Sequence, residues 1–194
     1  MQTFLFLIAC APTFELSDSS DAPSVDGVSL APAYLAGGRV DLTLLGDGAD
    51  IEFASIESAD TSVFSLGETD SWEAGKGERV LSVNAEAVAP GETEVIVRDL
   101  FGTAVLVAPI RVALPSEIEL AWTDRLSGDR EPVIVESPTV FVDGQAVFDI
   151  AYLDGTDELF ATADVQVPNG SALDGWVESG NRLSIEPQQA GRYD

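Results

Sequence analysis

Histidine is absent from this 194-residue chain, and cysteine and lysine each occur once. Without imidazole and with a single thiol, the chain cannot assemble a His/Cys zinc site, a Cys–His dyad or a Ser–His–Asp triad. Basic residues are scarce as well: 9 Lys and Arg stand against 34 Asp and Glu, for a formal charge of −25. A surface of that sign repels phosphate backbones and anionic headgroups, so nucleic acid is excluded as a partner. What the chain does have is a means of folding. Hydrophobic residues make up 45% and charged residues only 22%, with the apolar ones spread along the whole length, unlike a disordered acidic tail. The length suits one large domain or two small ones. Any chemistry must use carboxylates, hydroxyls or bound cations.

The apolar run from Phe4 to Ala9 ends at the sole cysteine, Cys10. It is far shorter than the about 20 residues a membrane-spanning helix needs. Leu7-Ile8-Ala9-Cys10 resembles the processing box of a bacterial lipoprotein signal peptide at every position. That resemblance implies diacylation of the Cys10 thiol, removal of the peptide before it, and an acylated Cys10 as the new N-terminus. Ala11 stands where an Asp would favour retention in the inner membrane, which points to the outer membrane, facing periplasm or exterior. The segment before the apolar run, Met-Gln-Thr, lacks the Lys or Arg usual in signal peptides. The other reading is a short edge strand or a buried apolar terminus with an incidental thiol. Residues 11–27, rich in Ser, Asp and Pro, have linker composition and are expected to form a flexible acidic tether.

Beyond Gly27 the apolar residues alternate with period two, as in strands. Val40, Leu42 and Leu44 share one face of their run, as do Val95 and Val97. Ile118, Leu120 and Trp122 form a third such set, and Ala146, Phe148, Ile150 and Tyr152 a fourth. Turn signals such as Asp47-Gly48, Pro90-Gly91, Asp143-Gly144 and Asp154-Gly155 separate the runs. Residues 44–55 align with 151–162, sharing Asp-Gly-x-Asp and Phe-Ala, and Leu81-Ser82-Val83 aligns with Leu183-Ser184-Ile185. Two copies of one module follow, spanning 28–113 and 114–194. Copy one continues through two strands after Pro90-Gly91, whereas copy two stops three residues after Gly191. The second module is therefore expected to be incomplete and the chain to be a fragment.

The segment Ser58-Ala59-Asp60-Thr61-Ser62-Val63-Phe64, the later Ala87-x-x-Pro-Gly-Glu-Thr-Glu-Val-Ile-Val97 and a closing Val-x-Val strand resemble the bacterial immunoglobulin-like domains of surface proteins. The resemblance implies an all-β fold of tandem immunoglobulin-like antiparallel β-sandwiches. It carries no catalytic residues. Glu68 to Gly77 departs from the pattern and reads as an inserted loop.

Two residue sets invite a functional reading. Asp47 and Asp50 in copy one, and Asp154, Asp157 and Glu158 in copy two, offer oxygens to calcium, the cofactor such an acidic exported chain could take. Each turn supplies fewer than the 6 to 8 oxygens calcium takes, and Asp-Gly is also a hairpin signal. Trp72 and Trp176 lie among polar residues and are candidates for stacking against a glycan, while Trp122 is in phase with a strand face and is expected in the core. No carboxylate pair is marked as a glycosidase site. The sequence thus points to a non-enzymatic cell-envelope lipoprotein whose modules act as spacers or as adhesion domains for a surface protein or glycan. The alternative is the accessory region of a larger secreted carbohydrate-active or calcium-dependent adhesive protein.

Overall fold

A computed structural model describes residues 14–20, 22–47, 51, 54–75, 77–122, 133–134, 140–163, 173–177 and 181–189. The lipoprotein box, Leu7 to Cys10, and Asp50 lie outside the described residues. The first part of the chain holds β1 (Phe14–Ser17), β2 (Val28–Ser29), β3 (Tyr34–Leu35), β4 (Gly38–Asp47) and β5 (Ser55–Ser58). It continues with β6 (Phe64–Gly75), β7 (Glu78–Ala87), β8 (Gly91–Arg98) and β9 (Ala104–Ala113). The second holds β10 (Glu117–Trp122), β11 (Val133–Ile134), β12 (Ala146–Asp154), β13 (Asp157–Glu158), β14 (Leu173–Val177) and β15 (Arg182–Pro187).

The fold is all-β and sandwich-like. One sheet runs β2-β1-β4-β7-β6 and a second β3-β9-β8-β5. Between them lie Val40, Leu42 and Leu44 from β4 with Val83 and Ala85 from β7, facing Val95, Val97, Ala108 and Ile110 from β8 and β9, all buried. The two-residue period places these side chains there, since every second residue of a strand meets the facing sheet. Two pairings depart from the antiparallel expectation: β1 with β2 and β3 with β9 are parallel.

The third sheet runs β11-β10-β12-β15-β14, with β13 on β12. Its path β10-β12-β15-β14 has the same order and the same antiparallel pairing as β1-β4-β7-β6. The register differs by three residues, however: Leu81 opposes Leu44, whereas Leu183 opposes Phe148 and not Ala151, the residue aligned with Leu44.

Three sequence expectations are corrected here. Residues 11–27 were expected to be a tether, yet Phe14–Ser17 is a strand whose Phe14 and Leu16 are buried. Four residues show too little period to register as a strand, and Phe14 and Leu16 find their apolar environment only through tertiary packing. Glu68 to Gly77 is not an inserted loop. Residues up to Gly75 complete the twelve-residue β6, paired with β7 through register shifts after Leu66 and Glu73. Such irregularities break strict alternation and so hide a strand from a period-two search. Finally, Ile118 is 59% exposed and Trp122 38% exposed. Alternation in the sequence says only that these residues share a face of the strand, and along β10 that face is open at Ile118 and Trp122.

Candidate functional site

Backbone hydrogen bonds and buried side chains join the second part of the chain to the first. After β13 the chain runs beside β3 and the start of β4. Leu35 N–H donates to the Phe160 carbonyl (3.1 Å) and Phe160 N–H to that of Ala33 (2.9 Å). Arg39 and Thr162 exchange a reciprocal pair, both 2.9 Å. Leu159 and Ala161 are buried against the same core. Gly38 is required at this crossing: a Cβ added there would lie 2.3 Å from that of Ala161, well inside contact distance.

Tyr34 is the hub of the junction. Its ring is fully buried, 5.5 Å from Phe64 and 6.3 Å from Phe160 between centroids. Its hydroxyl donates to Asp18 Oδ2 (2.5 Å), which also accepts from Ala31 N–H (2.8 Å). Burial first, and then the Asp18 hydrogen bond and charge, push the phenol far above the usual tyrosine range.

At the rim of the junction, Arg111 on β9 reaches across to the β12–β13 hairpin. Its guanidinium pairs with Asp154 and, at 3.0 Å, with Asp157. These are two of the carboxylates the sequence offers to calcium, and the structure gives them an arginine counter-ion. Glu158 is exposed opposite Leu153, and Asp47 closes β4 opposite Glu78. Among the described residues, no group of three or more acidic or Cys side chains is placed to hold a metal. The Asp154-Gly155 signal does make a tight hairpin, with Asp154 opposite Asp157 and Gly155 at φ 66°.

Of the tryptophans, Trp72 is 50% exposed on β6, in line with Val80 and Leu45 on the outer face of the first sheet. Trp176 lies on β14 opposite Ser184. Trp122 packs edge-on against buried Phe148, with centroids 5.4 Å apart. Thus the two proposed stacking residues stand on different sheets.

Sequence reasoning passed over a further feature. Val25 to Val28 is a two-residue hairpin turn with Asp26 and Gly27 both at positive φ (51° and 80°) and reciprocal hydrogen bonds of 2.7 and 2.9 Å. Asp-Gly between two valines is the signal for such a turn. With Leu30–Pro32 it forms one wall of a groove of about 960 Å³, whose other wall is β9 with part of β8.

No family model matches this chain, and no curated protein shows significant similarity to it. Solved structures give distant likenesses, among them three structures of the S-layer protein SbsC. A crystal structure of its domains 4 and 5 is 16% identical with a TM-score of 0.32, covering 53% of each chain. A structure of domains 5–6 is 13% identical with a TM-score of 0.37, covering 90% of this chain and 83% of that one. The crystal structure of rSbsC(31-844) is 14% identical with a TM-score of 0.39, covering 92% of this chain and 22% of that one. The chain thus spans about half of the first of these. Likeness at this level assigns it neither a family nor a role.

Proposed function

We propose that this chain is a non-enzymatic, lipid-anchored component of a bacterial cell envelope, whose β modules hold a fixed mutual geometry as a spacer and interaction support. The observation that carries the modular part is the junction. Four backbone hydrogen bonds, the buried Tyr34 hub and the Arg111 pairs brace the third sheet against the first two. A braced pair of β modules suits presentation at a distance from a surface. The anchoring part rests on Leu7-Ile8-Ala9-Cys10. Mass spectrometry of the protein expressed from its full gene in a Gram-negative host tests it. The expected result is a mature N-terminus at Cys10 carrying acyl chains, in the outer-membrane fraction. An unmodified Met1, or a free Cys10 thiol in the membrane-free fraction, overturns the anchor.

One observation favours the alternative role in a larger glycan-binding protein: the half-exposed indole of Trp72 on an outer sheet face. A lone indole over Val80 also serves simply to shield that valine, so the spacer reading is preferred.

A further inference from the structure

β9 is fully paired along one side only. β8 accompanies it from Ala104 to Val112, but on the other side β3 covers just Val112 and Ala113. Among the described residues no strand pairs with 104–111 on that side. The Ala113 carbonyl accepts from Ala36 N–H there, and the alternation of a strand brings the backbone groups of residues 111, 109 and 107 to the same side. Val107 and Arg111 present both an N–H and a carbonyl, and Pro109 a carbonyl alone. Proline is tolerated in a sheet where its missing donor breaks no ladder bond, as on this open side.

The open side faces the groove. Its walls are apolar: Val25 is 65% exposed and Val107 46% exposed, beside Val28, Leu30 and Pro109. The charges around it are Asp26, Glu92, Glu94 and Arg111, and Arg111 is already engaged by Asp154 and Asp157. Three carboxylates are left without a cation among the groove's own residues. The other long edge strand, β6, carries Glu68, Asp70 and Glu73, and β5 is only four residues long. Charge and shortness are common ways of blunting a sheet edge. From Ala104 to Ile110, β9 is uncharged and long, and its one blunting device is Pro109, which leaves the Val107 and Arg111 donors on either side.

We propose that this groove takes an extended, basic segment of another protein as an added strand on β9. Main-chain bonds to Val107, Pro109 and Arg111 supply pairing, apolar side chains fill the groove, and lysines or arginines meet Asp26, Glu92 and Glu94. A second copy of this chain is the poorer occupant, because each copy carries −25 and like charge opposes association. The inference goes beyond the anchoring and spacer reading, since the groove belongs to the folded part whatever happens at Cys10.

The test uses the full chain and two fluorescent octapeptides, one alternating Lys with Val and one alternating Glu with Val, read by fluorescence anisotropy. The Lys–Val peptide is expected to bind and the Glu–Val peptide not to. Val107→Pro, which removes an edge N–H outside the β8 ladder, is expected to weaken binding about tenfold or more. The pair Glu92→Lys/Glu94→Lys, on the exposed face, is expected to do the same. In the unmutated chain, hydrogen exchange of the Val107 and Arg111 amides is expected to slow when the Lys–Val peptide is added. Equal binding by the Val107→Pro variant together with unprotected amides means unspecific charge attraction and overturns the proposal. So does failure of both peptides to bind, or a concentration-dependent dimer that protects these same amides without peptide.

Discussion

Tyr34 shows how much one side chain can hold. Its ring occupies the centre of the junction while its hydroxyl, buried with it, needs an acceptor, and Asp18 supplies one. Replacing it with Phe keeps the ring and removes the donor, leaving Asp18 Oδ2 with Ala31 N–H. A buried hydrogen bond to a charged group contributes about 1.5–3 kcal/mol. Tyr34→Phe is therefore expected to lower stability by about that amount in urea unfolding at neutral pH. The pH dependence carries a sign. The phenol's pKa is raised in the fold, whereas in the unfolded chain it lies at about 10. Its neutral form is thus favoured by folding: the contribution is complete below about pH 10 and is lost as pH rises further. The variant should show a shallower alkaline decline than the parent, and an identical slope would contradict this account. Some decline remains in either case, because burial raises Tyr152 too.

Among the elements, the short strands were hardest to foresee and proved the most consequential. The runs that became β4, β8 and β12 were legible because Val40/Leu42/Leu44, Val95/Val97 and Ala146/Phe148/Ile150/Tyr152 alternate without interruption, and all nine are buried. β1 was not legible, since Phe14-Glu-Leu-Ser sits in Ser- and Asp-rich sequence and becomes a strand through pairing with residues 43–46 of β4 and with β2. If β1 is part of the core, Leu16→Ala, at a fully buried position, should cost about 2–5 kcal/mol. Thermal or denaturant melts measure it, and a cost near zero would restore the tether. The candidate site followed the same division. Asp154 and Asp157 were visible as an acidic turn, but their partner Arg111 lies more than forty residues earlier. No local pattern announces such a pairing. The Val25-Asp26-Gly27-Val28 turn, by contrast, was readable and was submerged by its linker-like surroundings.

At the scale of the whole molecule, the repeat seen as scattered identities becomes a repeated sheet order, with β1 answering to β10. In the first sheet that position is filled by β1, Phe14–Ser17, upstream of Val28. Among the described residues, Arg98, Arg111 and Arg182 each engage a carboxylate. The contact of Gly38 with Ala161 sets how near the two parts of the chain can come. Overfilling a packed contact costs about 1–3 kcal/mol, so Gly38→Ala is expected to lower the melting point. Adding Ala161→Gly should return the part of the loss that comes from the two methyls sharing one volume, leaving the 3.0 Å approach to the Leu35 carbonyl. The two positions then form a single coordinate. Across descendants of this sequence they are expected to covary, a methyl gained at one appearing only where it is given up at the other.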